Sequence, residues 1–190
     1  MQPPEAADAR VGVEQAAPPP PLDHAEAASN STVPLELLRQ CELFGDLCDA
    51  EMSRVAAICR PETHPPGTLV FGQDDLAEKI YILREGRIAI SMRLRSDSEP
   101  AAELTIEESV PGHVFGWSAL VRQQRFTACA TALDPVKVLA IRRADLYALF
   151  DEDAHIGFVV MRRLADVISA RLRLTRRSTE HPAGLAPSNH

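Results

Sequence analysis

The sequence predicts a mostly β protein with flanking helices, in which short antiparallel strands form a jelly roll, also called a double-stranded β-helix. Apolar and polar residues alternate in runs between residues 62 and 90, as in half-buried strands. Gly86 separates two of these runs, which indicates a hairpin. Further short runs follow up to residue 141 between Gly and Pro turns. Many short strands with such turns are typical of a jelly roll.

The first 32 residues differ in composition from the rest. They are rich in Ala and Pro, include the run Pro18–Pro21, and carry five acidic residues against a single arginine. Few large apolar side chains are present to offset the entropy of ordering, so we expect residues 1–32 to be a disordered tail. The Pro run is also compatible with a polyproline II segment that binds a partner.

Helical spacing precedes the first strand. Leu35, Leu37 and Leu38 form one apolar patch, and Asp49 is expected to cap a second helix. Pro61 is expected to end this region. Two small helices before the strands are therefore predicted.

The strands are predicted to continue beyond residue 90. The polar segment Arg93–Ala101 is expected to be a mobile loop. Strands are predicted at Glu103–Glu107 and at Val136–Ile141, the latter after a turn at Asp134-Pro135.

Two helices are predicted at the C-terminal end. Arg142–Phe150 forms the first, and Asp153 is expected to cap a long helix over Ala154–Arg177. That helix carries a stripe with alternating four- and three-residue steps: Val160, Leu164, Val167, Arg171 and Leu174. Such a stripe favours a homodimer. A helix that packs only on its own domain is the alternative, and residues 178–190 are predicted to be a disordered tail.

Composition excludes several classes of function. The chain of 190 residues has room for one domain with tails, and its net charge of −7 argues against general nucleic-acid binding. The sequence has no apolar run of 18 residues and no secretory signal at its start, so we expect a cytoplasmic protein without a membrane span. Residues 178–190 are too few for a helix-turn-helix, so direct DNA binding is not expected.

Catalytic and metal-binding patterns are also missing from the sequence. His64, His113 and His155 lie far apart, with no His-x-His pair, and no Ser/His/Asp or Cys/His arrangement is suggested. We therefore predict a protein that is not an enzyme and holds no metal ion.

The central stretch Pro111–Ala132 carries the strongest functional signal. Gly112 and Gly116 allow close turns, and Ser118–Leu120 can form a single helical turn. A helix N-terminus offers N–H groups to an anion, and Arg122 and Arg125 could face a phosphate. This combination predicts a small phosphate site. An ordinary loop between strands is the alternative.

The same stretch resembles the phosphate-binding cassette of cyclic nucleotide-binding domains of the Crp/Fnr-like type. The resemblance rests on Phe115-Gly116-Trp117-Ser118-Ala119-Leu120 and Phe126-Thr127-Ala128, and upstream on Pro66–Phe71 and Lys79–Ile90. We call residues 115–127 the cassette. The resemblance covers roughly Val33–Arg177 and implies a binding domain at 33–153 with a lid or dimerisation helix at 154–177. It implies cAMP or cGMP as ligand and a regulatory role in signal transduction. The implied ligand-binding residues are Gly116, Trp117, Ser118, Ala119, Leu120, Arg125, Phe126 and Thr127.

Two positions depart from the family pattern. The family's Glu, which bonds the ribose hydroxyl, falls on Trp117, and its phosphate-binding Arg falls on Phe126. A phenyl ring cannot replace a bidentate guanidinium. Arg125 is expected to point away from the pocket, since neighbouring residues of a strand face opposite ways. Loss of both charged contacts should weaken binding by roughly two to four orders of magnitude.

Three functions are therefore compatible with the sequence. The chain could be a cyclic nucleotide sensor that signals through an unknown protein partner. It could instead be a domain that binds no nucleotide and acts as an interaction or regulatory subunit. It could also be a fragment of a transcription regulator.

The cysteines add a smaller question. Some Crp/Fnr-type regulators hold an iron–sulfur cluster near the position of Cys41, Cys48 and Cys59, but the spacing here includes no C-x-x-C pair. These residues and Cys129 are predicted to be free thiols acting as small apolar side chains.

Overall fold

The structure, a computed structural model, describes residues 33–94, 102–108 and 110–180. The predicted tails at 1–32 and 181–190 lie outside the described residues. The helices are α1 (Leu35–Gln40), α2 (Asp49–Ile58), α3 (Arg143–Glu152) and α4 (Ala154–Glu180). The strands are β1 (Cys59–His64), β2 (Leu69–Phe71), β3 (Lys79–Glu85), β4 (Ile88–Leu94), β5 (Ala102–Glu108), β6 (Val114–Phe115), β7 (Cys129–Ala132) and β8 (Val136–Arg142).

The strands form two four-stranded antiparallel sheets. The first sheet has the order β1-β8-β3-β6 and the second the order β2-β7-β4-β5. This arrangement confirms the predicted antiparallel β fold with helices at both ends. In the described part of the chain the sheets remain two open layers, so the term barrel is too strong.

The first sheet contains the centre of the apolar core. Four consecutive residues of β3, Ile80 to Leu83, are buried, so side chains on both faces of the strand are covered. Most of β8 is buried in the same way. Tyr81 contacts Phe71 of the second sheet, and α3 packs close to β8. The first sheet therefore contributes the most deeply buried strands of the domain.

The ends of the helices depart slightly from the predictions. Cys48 is the N-cap of α2, and its backbone N–H donates to the Glu51 carboxylate at 2.8 Å, so Asp49 begins the helix and does not cap it. Asp153 caps α4 as predicted, because its carboxylate accepts the N–H of His155 at 3.1 Å. α4 extends to Glu180, three residues into the predicted tail.

The segment Arg93–Ala101, predicted as a loop, is strand at its first two residues. β4 continues through Leu94, where it pairs with Ala102 of β5, and residues 95–101 lie outside the described residues. The strand predicted at Glu103–Glu107 is confirmed as β5.

The predicted dimer stripe on α4 requires a correction. Val160, Leu164 and Val167 are buried within the chain's own core, so these three residues do not face a partner. The helix is also tied to the turn after α1, where the Arg163 guanidinium donates to the Glu42 carbonyl oxygen at 3.1 Å. The predicted apolar stripe is present at these three residues, but the core of the domain itself covers it.

Candidate functional site

The cassette begins with a strained turn that only glycine suits. Gly116 has φ of +73°, and a single 3-10 turn over Trp117–Leu120 follows it, as predicted. A Cβ at Gly116 would lie 3.1 Å from the Tyr81 ring and 3.3 Å from the Phe126 ring. The turn therefore brings backbone directly against two aromatic rings.

The second half of the cassette is held as a strand-like segment. The N–H of Phe126 donates to the Asp75 carbonyl oxygen at 3.0 Å, and the N–H of Asp74 donates to the Phe126 carbonyl oxygen at 2.8 Å. Asp74 itself has φ of +70°, a left-handed conformation that Asp tolerates better than most residues. This pairing fixes which way neighbouring side chains point.

Phe126 therefore points inward and Arg125 outward. The Phe126 ring is 4% exposed and stacks on Phe71 with 3.7 Å between ring centroids. The Arg125 guanidinium donates to the Asp74 carbonyl oxygen at 2.6 Å on the outer surface. Arg125 does not line the cavity described below, as the strand argument anticipated.

An aromatic cluster surrounds the Phe126 ring. Its other members are Phe71, Tyr81 and Phe115, with centroid separations of 5.2 to 6.2 Å among them. Burial raises the pKa of Tyr81, so this cluster is uncharged at neutral pH. A cyclic phosphate at this point would meet ring faces where the family places a guanidinium.

A cavity of about 410 Å³ opens beside this cluster. Its aromatic wall consists of Phe71, Phe115, Trp117 and Phe126. Its aliphatic wall consists of Ile90, Met92, Ile106, Val114, Ile168 and Leu172. The remaining lining residues are Gly116, Ser118, Thr127, Ala128 and Arg171. The volume is within the usual range for small-molecule sites.

The predicted site residues separate into two groups. Gly116, Trp117, Ser118, Phe126 and Thr127 line the cavity. Ala119 and Leu120 are buried in the core and support the turn from behind. Arg122, which was considered as a phosphate contact, is exposed and does not line the cavity.

Sequence reasoning missed Arg171 as a cavity residue. Its side chain is 18% exposed, and its guanidinium lies 3.6 Å from the Glu42 carboxylate. Glu42 is held in turn by the Val114 N–H at 2.9 Å. A lone arginine inside an otherwise apolar helical stripe is the signal in the sequence that points to it.

Hydrogen bonds tie the cassette to α3. The Tyr147 hydroxyl donates to the Leu120 carbonyl oxygen at 3.1 Å, and the Arg143 guanidinium donates to the Gln124 side-chain oxygen at 2.7 Å. Gln124 has φ of +51°, so its conformation is strained for a residue with a side chain. Two side-chain hydrogen bonds thus connect α3 to the cassette.

The cysteines are free thiols in the structure. Burial raises the pKa of Cys41 and of Cys59 to about 12 in each case, which disfavours the thiolate that metals require. Within residues 33–94, 102–108 and 110–180, no three His, Cys, Asp or Glu side chains converge as metal ligands do. None of the helices described there is both long and apolar enough to cross a bilayer.

Comparison with known proteins gives a consistent picture. The cyclic nucleotide-binding domain family matches residues 61–153. The cyclic AMP receptor protein of Thermus thermophilus is 28% identical over 131 residues, which cover 69% of this chain and 57% of the receptor. This chain therefore spans little more than half of that relative. The cGMP-dependent protein kinase isozyme 1 of Drosophila melanogaster is 24% identical over 110 residues, which make up 14% of the kinase.

Solved structures agree on the fold. A putative cyclic nucleotide-binding protein from Geobacter metallireducens matches with a TM-score of 0.61 and 28% identity, over 74% of this chain and 98% of that one. A cyclic nucleotide-binding domain from Methylobacillus flagellatus matches with a TM-score of 0.66 and 18% identity, over 82% of this chain and 84% of that one. The second match bears on the fold alone.

Proposed function

Because this chain contains a domain of the cyclic nucleotide-binding family, we propose that it is a regulatory domain whose cavity does not take a cyclic nucleotide as the family does. One observation carries the proposal. The Phe126 ring lies at the family's arginine position, stacked on Phe71 at 3.7 Å, inside an uncharged aromatic cluster. A cyclic phosphate there would lose its hydration without gaining a charge-assisted pair.

Position 117 supports the same conclusion. The family's ribose-binding Glu is replaced by Trp117, which lines the cavity and packs against the apolar core. An indole donates one N–H and cannot accept the hydrogen bond of a ribose hydroxyl. Both polar contacts that define the family's ligand are thus replaced by aromatic surface.

Calorimetric titration with cAMP and with cGMP tests the proposal. We expect no saturable binding to the wild type up to millimolar ligand. The double variant Trp117→Glu/Phe126→Arg should gain measurable affinity, because it restores both charged groups. Trp117→Gln/Phe126→Leu is the matched control without the charges. Micromolar binding of either nucleotide to the wild type would overturn the proposal, whether or not the double variants fold.

The output of such a domain would pass through α4 to a protein partner, and a second copy of the chain is the partner that the helix suits best. A stripe on α4 next to the buried one repeats with steps of three and four residues. Phe158, Met161 and Ala165 are its exposed part, and it ends at Ile168 and Leu172, which also line the cavity. Phe158 is 65% exposed, and Met161 and Leu172 are exposed as well. An apolar heptad stripe is self-complementary between two identical helices.

The mass of the protein in solution tests this second proposal. We expect a dimer by analytical ultracentrifugation, and we expect Met161→Glu to shift it to the monomer by placing a charge in the seam. Ala170→Glu places the same charge at an exposed position of α4 outside the stripe and should leave the dimer intact. A wild-type monomer at high concentration would contradict the proposal.

The proposed role is not enzymatic. Regulation through α4 requires only that a ligand or partner has different affinity for two positions of the helix. The Drosophila relative is a kinase by name, but the matched segment is a small share of it. We therefore propose that this domain carries no catalytic step of its own.

A further inference from the structure

The cavity combines an apolar wall with one guanidinium. Eleven of its lining residues are aromatic or aliphatic, and Arg171 is the one charged residue among the lining residues described. Burying apolar ligand surface against such a wall is favourable in proportion to the area removed from water. The polar edges of a nucleotide would forfeit that gain, whereas a hydrocarbon or aromatic body would realise it.

Arg171 places a positively charged group in the wall of the apolar cavity. Its guanidinium lies 3.6 Å from the Glu42 carboxylate, and its side chain is mostly shielded from solvent. An arginine carries five N–H donors, so it can hold Glu42 and a second carboxylate together. A partly desolvated guanidinium beside an apolar wall matches an anionic head on an apolar body.

The other residues of the cavity wall limit the charge that the anionic head of a ligand can carry. Beside Arg171, the polar side chains are the hydroxyl groups of Ser118 and Thr127. A phosphate monoester carries up to two charges and several acceptor oxygens, which this set does not neutralise. A carboxylate carries one charge and fits the fork of a single guanidinium.

Building on the proposed function, we propose that the cavity binds a small apolar monocarboxylic acid. The carboxylate pairs with Arg171, and the aromatic or aliphatic body lies against the Phe71, Phe115 and Phe126 rings. Because α4 supplies Ile168, Arg171 and Leu172 to the wall, the acid bridges the second sheet and α4. Occupancy therefore favours the α4 position seen in the structure and supplies the differential affinity that regulation requires.

Calorimetric titration with 2-naphthylacetate tests this inference, and its uncharged amide, 2-naphthylacetamide, is the matched ligand. We expect saturable binding of the acid, with the amide about ten- to a hundredfold weaker, as for a lost hydrogen bond to a charged group. Arg171→Gln should remove this preference for the acid. Arg173→Gln, on the exposed side of the same helix, should preserve it.

Two further measurements separate the possible failures. Ile106→Trp fills the cavity from the edge strand β5 and should abolish binding of the acid. The fluorescence of Trp117, the sole tryptophan of the wild type, should change on binding. Equal affinity for acid and amide, or binding that survives Ile106→Trp, overturns the inference while leaving the proposed function intact. Tight cAMP binding in the same titration series would instead overturn the proposed function.

Discussion

The two sheets differ in how completely they are buried. In the first sheet, β3 and β8 carry buried side chains on both faces. In the second sheet, Ile90, Met92 and Ile106 are half-buried and line a cavity. Both sheets have four antiparallel strands, yet one forms the packed centre and the other forms the wall of a binding site.

This difference assigns stability and function to separate layers. A fully buried strand loses packing with every substitution, so its sequence is constrained by volume. The side chains of a cavity wall already lack neighbours on one side. They can therefore change rotamer with less loss of packing and adapt to a bound ligand. The comparison leads to three predictions.

The largest effect is expected from removing the same side chain from each sheet. Ile82→Ala, in the first sheet, should lower the free energy of unfolding by about 2–5 kcal/mol, because Ile82 is 0% exposed and leaves a void. Ile106→Ala, in the second sheet, should lower it by about 1 kcal/mol, since its side chain already borders open space. Urea denaturation of both variants measures the contrast. Equal losses would mean that the second sheet is packed as tightly as the first.

A smaller effect is expected from Glu62, on the edge strand of the first sheet. Burial raises the pKa of this carboxyl, but His64 and Lys79, the latter at 2.7 Å, outweigh burial and hold the pKa below its ordinary value of 4.5. A lowered pKa in the folded state stabilises the protein above 4.5, and this stabilisation is lost as the pH falls through the folded-state value.

Glu62→Gln should therefore lower the free energy of unfolding by about 1 kcal/mol at neutral pH. The gap between wild type and variant should close at acidic pH, as the wild-type carboxyl takes up its proton. Unfolding at several pH values measures this, with the exposed substitution Asp166→Asn as control. A gap that does not change with pH would show that packing, not charge, accounts for Glu62.

The smallest effect concerns the hydrogen bond that links α3 to the cassette. Tyr147→Phe removes the hydrogen bond to the Leu120 carbonyl oxygen and should lower the free energy of unfolding by about 0.5–1 kcal/mol. Its local effect should be larger. Amide hydrogen exchange at 117–124 should accelerate, because α3 no longer holds the cassette. The exposed substitution Asp151→Asn on α3 is the control. Unchanged amide exchange in Tyr147→Phe would show that this hydrogen bond does not restrain the cassette.

Several parts of the fold followed from local pattern. The alternation at 79–90 predicted β3, β4 and their hairpin, and the Gly116 turn with its short helix was predicted together with Asp153 as the cap of α4. These features depend on backbone propensity and on hydrogen bonds a few residues apart, which the sequence shows directly.

The faces of α4 did not follow from pattern. Spacing identified Val160, Leu164 and Val167 as an apolar stripe but not what covers it, and the structure buries them in their own domain. The adjacent stripe from Phe158 to Leu172 has the same period. The two stripes of α4 differ only in the segments that pack against them. Which segments pack there is decided by the tertiary structure and cannot be read from the spacing.

The sequence by itself determined the order of elements and the antiparallel class of the fold, and it places aromatic residues at positions 117 and 126. Only the tertiary structure stacked Phe126 on Phe71, which lie 55 residues apart along the chain. It also placed Arg171, 45 residues after Phe126, in the lining of the same cavity. Local conformation is encoded by neighbours in sequence, whereas a cavity is the space left after distant segments have packed. Its shape and charge are decided by that packing.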